Sequence, residues 1–260
     1  MCRFVFIALA FILFASISSA QIRLNKLVIA AKEKYQILGT DIIVADTLVM
    51  NDSSSITLNL SKQDNFIHAK VASFGRGCTI YGHGINGTSG KPGENGIAQS
   101  SPCRNGAPGK NASSGERGRD AINLSLYFTA MKINGSLLVN LNGGDGGLGG
   151  KGGHGGDGGS GTRVCPAGDG GSGGNGADGG DGGNGGAFSI NCKQCFDLPL
   201  MVGERLIIKN YGGLGGEGGD GGSGGQAGLG SKKDGKNGLR GAEGKHALQG
   251  KTGLVTLNGN

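Results

Sequence analysis

The sequence predicts a mostly non-α protein with two parts: a β-strand-rich base, either a small sheet or β-solenoid-like, and a bundle of about six polyproline II helices. Glycine contributes 59 of the 260 residues and proline only 5. In the glycine tracts, glycine recurs every third residue, which is the period of polyproline II. Short β-prone runs separate the tracts, and the exits from the tracts recur at residues 121, 187 and 253, which are 66 residues apart.

The first twenty residues have the features of a secretory signal peptide. A short basic start at Arg3 precedes an apolar run from Phe4 to Phe14, and Ala20 ends a small-residue cleavage pattern. The alternative is an uncleaved N-terminal anchor. We therefore divide the chain into a signal peptide (1–20), a β-rich N-terminal region (21–81) and a repeated strand plus glycine-rich region (82–260).

The β-rich region contains short runs of β-branched and apolar residues separated by polar turns such as 51–54. Their spacing of about ten residues suits a small sheet or the rungs of a parallel β-solenoid. The predicted strands are centred on 42–44, 47–49, 56–60 and 66–71.

The glycine tracts divide into two kinds of extended leg. Some legs carry one glycine in three, as in 84–96, and others carry two in three, as in 143–151. Because a glycine row lets a neighbouring chain approach closely, we expect the double-glycine legs inside the bundle and the single-glycine legs at its margins. The third row, with Asp145, Lys151 and His154 among its members, then points outward to solvent.

Three other interpretations of the tracts are open. A collagen triple helix requires long unbroken single-glycine register and much proline. A disordered glycine-rich linker would not show a 66-residue recurrence. A calcium-binding nonapeptide β-roll requires an apolar position that the segment 176–181 lacks.

The tracts at 82–253, about two-thirds of the chain, resemble the glycine-rich polyproline II bundles of known families. These are the springtail antifreeze proteins, the tips of certain phage tail-fibre adhesins and the N-terminal domain of Obg GTPases. The resemblance implies a shared fold, but these families have unrelated functions, so it implies little about activity.

Five cysteines follow the predicted signal peptide, in what we expect to be an oxidising compartment. Cys103 and Cys165 lie at breaks where tracts reverse, whereas Cys78, Cys192 and Cys195 lie beside strands at the tract bases. A leg of roughly 15 residues spans on the order of 45 Å, far more than the roughly 7 Å between bridgeable Cα atoms. We therefore expect Cys103–Cys165 at the tips and Cys78 with Cys192 or Cys195 at the base. One base thiol then remains, unless Cys192 and Cys195 pair with each other.

The Cys192–Cys195 spacing also matches redox and zinc motifs. A redox role requires a helix N-terminus, and zinc requires two further ligands; neither is evident in the flanking sequence. We find no nucleophile–base pair, metalloprotease motif, phosphate loop or paired carboxylates, and the four histidines are scattered. The sequence therefore predicts a non-enzymatic protein without catalytic residues, metal or cofactor.

The three reversal points are basic, because they contain Arg104, Arg163, Lys232 and Lys233. If they cluster, these side chains form one cationic end suited to acidic glycans or cell-surface lipid headgroups; the alternative is that loop tips simply tolerate charge. The net charge of +6 is too small to indicate nucleic acid.

Six Asn-x-Ser/Thr sequons follow the predicted signal peptide. Several fall in predicted strands or legs, where a glycan would obstruct packing, and this favours a bacterial source. The sequons begin at Asn51, Asn59, Asn86, Asn111, Asn123 and Asn134.

These features together predict a secreted protein, extracellular or on the cell surface, with the periplasm as an alternative. We expect a structural or adhesive role in which the tips are presented to an extracellular ligand. The alternatives are an ice-binding protein and a collagen-like matrix component. Charged residues in the outward row count against ice binding. A thermal-hysteresis assay distinguishes an ice-binding protein from an adhesive one.

Overall fold

The computed structural model describes residues 22–259, so the predicted signal peptide lies outside the described residues. Eleven strands and one short helix follow in chain order. They are β1 (Ile22–Ile29), β2 (Lys34–Gln36), β3 (Ile42–Met50), β4 (Ser55–Thr57), β5 (Asp64–Phe74), β6 (Cys78–Tyr81), β7 (Asn123–Ile133), β8 (Leu137–Asn140), β9 (Phe188–Cys192), α1 (Leu198–Met201), β10 (Leu206–Lys209) and β11 (Val255–Gly259).

Successive strands alternate between two sheets, and all strand pairs in both sheets are parallel. One sheet has the order β1-β3-β5-β7-β9-β11 and the other has the order β10-β8-β6-β4-β2. The chain thus winds as a solenoid in which each turn contributes one strand to each sheet. We number these turns as rungs: β1 and β2 form rung 1, β3 and β4 rung 2, β5 and β6 rung 3, β7 and β8 rung 4, β9 and β10 rung 5, and β11 alone rung 6.

The inward side chains of both sheets form a single hydrophobic core. Along β3 and β5, buried and partly exposed residues alternate, as the period of two in a strand requires. Phe74 and Phe188 are the largest fully buried side chains, and Ile43 of the first sheet and Ile80 of the second belong to the same buried cluster. Burial of this apolar surface is the main driving force for the solenoid.

The first three connections from the first sheet to the second repeat the same backbone turn. Lys32, Ser53 and Gly77 each follow the end of a long strand by three residues, and each has a positive φ of 64°, 60° and 66° respectively. The turns also bond to one another, since the Ser53 N–H donates to the Arg76 carbonyl at 2.7 Å. The rungs are therefore aligned by their turns as well as by their strands.

The connections that return from the second sheet to the first differ greatly in length. The first two are short loops at 37–41 and 58–63, whereas the next three are the glycine tracts at 82–122, 141–187 and 210–254. Each tract is thus an insertion at the same place in three successive rungs. The 66-residue recurrence reflects this architecture, because one rung and one tract together make the repeating unit.

The predicted fold class is wrong. We expected a mostly non-α protein with a β-strand-rich base, either a small sheet or β-solenoid-like, and a bundle of about six polyproline II helices. The regular secondary structure of residues 22–259 is instead two parallel sheets of six and five strands, with one helix of four residues. The glycine tracts are abundant, but they are connections between the strands. The architecture follows from the hydrophobic core, to which strands on both sides of residue 82 contribute.

Candidate functional site

Each glycine tract leaves the solenoid as one extended leg, reverses at a tip and returns as a second leg. We number the legs in chain order. They are leg 1 (84–99), leg 2 (105–121), leg 3 (142–160), leg 4 (168–186), leg 5 (211–229) and leg 6 (235–253).

Backbone hydrogen bonds at every third residue join the legs. The N–H groups of Gly84, Gly87 and Gly90 in leg 1 donate to the carbonyls of 142, 145 and 148 in leg 3 at 2.7–2.8 Å. Legs 3 and 5 are joined in the same way, as are legs 2 and 4, and legs 4 and 6. Odd-numbered legs therefore stack in one layer and even-numbered legs in a second. Further bonds, such as the Gly174 N–H to the Gly153 carbonyl at 2.8 Å, cross between the layers.

The close approach of the legs depends on the absence of side chains at their contact positions. A Cβ placed on Gly147 in leg 3 would collide with the Thr88 carbonyl oxygen in leg 1, which is backbone and cannot rotate away. Leg 3 bonds to legs 1, 2, 4 and 5. The second glycine of each triplet therefore allows a second neighbouring leg to approach closely.

Asparagine and aspartate side chains on the outer rows bond from leg to leg. The Asp145 N–H donates to Asn86 Oδ1, and the Leu214 N–H donates to Asp145 Oδ1, both at 2.8 Å. In the even layer, the Asn175 N–H donates to Asn111 Oδ1 at 2.8 Å and the Ala242 N–H to Asn175 Oδ1 at 2.9 Å.

These carboxylates and amides are exposed, as expected for an outward row. They are not merely solvated, however, because they bind backbone N–H groups. A signal for this was present in the sequence: Asn or Asp recurs at matching positions of successive legs. Equivalent ladders run through Asn105, Asp169 and Lys236, and through Asp120, Asn184 and Lys251.

The three tips lie together at the far end of the legs. A disulfide between Cys103 and Cys165, with Cα atoms 6.0 Å apart, joins the first tip to the second. The Ala167 N–H donates to the Lys233 carbonyl at 3.0 Å, which joins the second tip to the third. The predicted Cys103–Cys165 bridge is confirmed.

The four basic residues predicted at the tips are all exposed. The Arg104 carbonyl accepts the Gly159 N–H at 2.8 Å, so its main chain is held against leg 3. Arg163 lies in the turn closed by the Thr162–Cys165 hydrogen bond. Lys232 and Lys233 precede Asp234, whose Oδ1 accepts the Gly230 N–H at 2.8 Å. The main chain at the tips is ordered by hydrogen bonds, while the cationic ends face solvent.

The predicted pairing of Cys78 with Cys192 or Cys195 is wrong. Cys192 and Cys195 form a disulfide with each other, and Cys78 is a buried free cysteine. Cys78 lies in rung 3 and Cys192 in rung 5. Residues that are two rungs apart are separated by about 9.6 Å along the stack. Cα atoms at that distance are beyond the roughly 7 Å that a disulfide can bridge.

Cys78 packs inside the solenoid, against rung 2. Its Sγ lies 3.9 Å from Ser54 Oγ and donates to the Asn51 carbonyl at 3.3 Å. Burial raises the pKa of the Cys78 thiol, because the charged thiolate loses water there. This cysteine is therefore a small apolar residue of the core.

Among residues 22–259, no group of three or more His, Cys, Asp or Glu side chains is arranged to hold a metal ion. In the same part of the chain, no helix has the length and apolar character needed to cross a bilayer. Comparisons with protein-family models, with curated proteins and with solved structures gave no match to this chain.

Proposed function

We propose that this protein is a secreted, non-enzymatic adhesive or structural protein that presents the three tips of its glycine legs to an acidic extracellular ligand. Acidic glycans and the anionic headgroups of cell-surface lipids share the required chemistry. The observation that carries the proposal is the convergence of Arg104, Arg163, Lys232 and Lys233 on one end of the molecule.

The rigidity of the tips supports the proposal. A disulfide and several backbone hydrogen bonds hold the main chain at the three reversal points. A binding surface whose backbone is already ordered loses less conformational entropy when the ligand binds. Flexible lysine and arginine side chains on such a frame suit a repetitive polyanion, which presents charges at several spacings.

The charge balance of the tips also supports the proposal. Within the reversal segments 97–104, 162–167 and 231–234, Asp234 is the one acidic residue, and its carboxylate accepts a backbone N–H. The cationic groups therefore reinforce one another and produce a positive potential that attracts anionic ligands.

The proposal predicts loss of polyanion binding when the tip charges are removed. We would measure binding of the wild type and of Arg104→Ala/Arg163→Ala/Lys232→Ala/Lys233→Ala on an array of acidic glycans, lipopolysaccharides and anionic lipid vesicles. The wild type is expected to bind at least one class, and the tip variant to bind it at least tenfold more weakly. Added salt should weaken binding, because exposed charges are screened over about 8–10 Å.

A matched control removes the same number of charges elsewhere. Lys62, Lys132, Lys193 and Lys209 are exposed and lie on the strands or short connections of the solenoid. The variant with alanine at these four positions should bind like the wild type. Equal binding by the tip variant and the wild type, or equal losses in the tip and control variants, would refute the role of the tips. Absence of wild-type binding across the array would also count against the proposal.

A further inference from the structure

The six sequons differ sharply in how the fold uses the asparagine side chain. N-linked glycosylation attaches the glycan to Nδ2 of asparagine. Glycosylation replaces one of the two hydrogens on Nδ2 with a sugar, so an Nδ2 that lies against an acceptor inside the fold leaves less room for a glycan than one that faces solvent. An Nδ2 that faces solvent can carry one at no cost to the fold. The orientation of each amide follows from its partners, because a carbonyl must face Nδ2 and an N–H must face Oδ1.

In three sequons Nδ2 donates within the fold. Asn51 Nδ2 donates to the Ile29 carbonyl at 2.9 Å, and Asn123 Nδ2 donates to Asp64 Oδ1 at 2.8 Å. Asn59 is only 8% exposed, and its Nδ2 donates to the Thr40 carbonyl at 2.8 Å. A glycan on Asn59 would have to displace part of the connection between rungs 2 and 3.

Two sequons in the glycine legs have the opposite geometry. Asn86 Oδ1 accepts the Asp145 N–H, and Asn111 Oδ1 accepts the Asn175 N–H, each at 2.8 Å. Both residues are exposed, and both lie on outer rows. Since the oxygen faces the neighbouring leg, the nitrogen faces solvent. The amide oxygen is retained after glycosylation, so the bond between the legs survives, and a glycan at these two leg positions would not obstruct packing as the sequence suggests.

The sixth sequon lies in the short turn between β7 and β8. Asn134 is exposed, and its backbone N–H donates to the Phe74 carbonyl at 2.8 Å. Asn134 lines a cavity of about 490 Å³ on the surface, together with Asp52 and Arg76. Space for a first sugar therefore exists directly beside this asparagine.

We propose that Asn86, Asn111 and Asn134 are N-glycan acceptor sites of the folded protein and that Asn51, Asn59 and Asn123 are not. In the transfer, Nδ2 attacks the anomeric carbon of a lipid-diphosphate-linked oligosaccharide. The new N–C bond forms as the C–O bond to the diphosphate breaks, Nδ2 loses a proton and the lipid diphosphate leaves. The inference rests on the secretion that the proposed function includes, but it does not depend on ligand binding by the tips.

The test expresses the full chain in a eukaryotic secretory host and collects the protein from the medium. Enzymatic deglycosylation in heavy-oxygen water converts each occupied asparagine to a labelled aspartate, which peptide mass mapping then locates. We expect label at Asn86, Asn111 and Asn134 and none at the other three sites. Asn86→Asp, Asn111→Asp and Asn134→Asp should each remove one glycan without reducing the secreted yield, because an aspartate oxygen can still accept the N–H that Asn86 or Asn111 accepts.

A second arm separates failure of secretion from failure of the site assignment. The same chain is placed behind a leader from the host, so that it enters the secretory pathway independently of its own N-terminal segment. Label at Asn51, Asn59 or Asn123 in secreted protein, or absence of label from Asn86, Asn111 or Asn134, overturns the inference in either arm. If only the chain with the host leader is secreted and it has the expected pattern, the sites stand and the predicted signal peptide is wrong.

Discussion

At the scale of single residues, the glycines of the legs act through the space they leave open. Gly174 in leg 4 illustrates this, because a Cβ at that position would collide with the Lys110 carbonyl in leg 2. The obstacle is backbone that itself accepts the Gly153 N–H at 2.9 Å. Neither the backbone of Gly174 nor the Lys110 carbonyl can move without breaking the hydrogen bonds that join legs 2, 3 and 4.

Gly174→Ala should therefore destabilise the protein. We expect a loss of about 1–3 kcal/mol in the free energy of unfolding, the usual cost of forcing an extra carbon into a packed site. Denaturant titration gives the value. Ser172→Ala, an exposed substitution in the same leg, should stay within about 0.5 kcal/mol of the wild type. Indistinguishable stabilities for the two variants would show that the legs are not held at this contact.

At the scale of elements, the legs combine two sets of hydrogen bonds. Backbone carbonyls accept from the glycine N–H groups, and Asn or Asp side chains accept from the N–H groups of the outer rows. The side-chain ladder ends at leg 6, where Lys236, Ala242 and Lys251 donate their N–H groups but offer no amide or carboxylate in return. The side chains of leg 6 thus define it as the last leg of its layer.

Removing one member of a ladder should release its partner. In Asn175→Ala, the Ala242 N–H loses its acceptor, and we expect the free energy of unfolding to fall by about 0.5–1.5 kcal/mol. Hydrogen exchange at the Ala242 amide should become faster. Asn175→Asp is the matched control, because an aspartate oxygen fills this role at Asp169, Asp178 and Asp181. Unchanged exchange at Ala242 in the alanine variant would contradict the ladder.

At the scale of the whole molecule, the legs are anchored at both ends. The parallel sheets stack the rungs from which the tracts leave and to which they return. At the far end, the Cys103–Cys165 disulfide ties the first tip to the second across 62 residues of chain. The solenoid therefore holds the legs together at their bases, and the disulfide holds the first two tips together at the far end.

Removing the tip disulfide should weaken the far end selectively. For Cys103→Ala/Cys165→Ala we expect a loss of about 2–4 kcal/mol in the free energy of unfolding, since the bridge constrains a long loop of the unfolded chain. Trypsin should cut faster after Arg104 and Arg163. Cleavage after Lys232 and Lys233, in the tip without a disulfide, serves as the internal control and should change less. Equal acceleration at all three tips would indicate general unfolding instead.

Much of the local organisation could be predicted from the sequence, and the reason is that it is periodic or confined to neighbouring residues. The period of three in the glycine tracts, the β-prone runs and the reversal points around Cys103 and Cys165 are all visible in short windows. The basic tips can be predicted because each lies at such a reversal. The tip disulfide followed from leg length, which a constant rise per residue determines.

What only the tertiary structure decided depends on partners far apart in the chain. Phe66 of β5 pairs with Ser125 of β7 across a whole glycine tract, and no local pattern specifies that two parallel sheets and one core organise the chain. The same holds for Cys78, which is isolated from Cys192 by the rung spacing, and for Asn86, whose amide faces Asp145. The sequence by itself determined which residues can approach closely or bond, and burial of the shared core determined which of them meet.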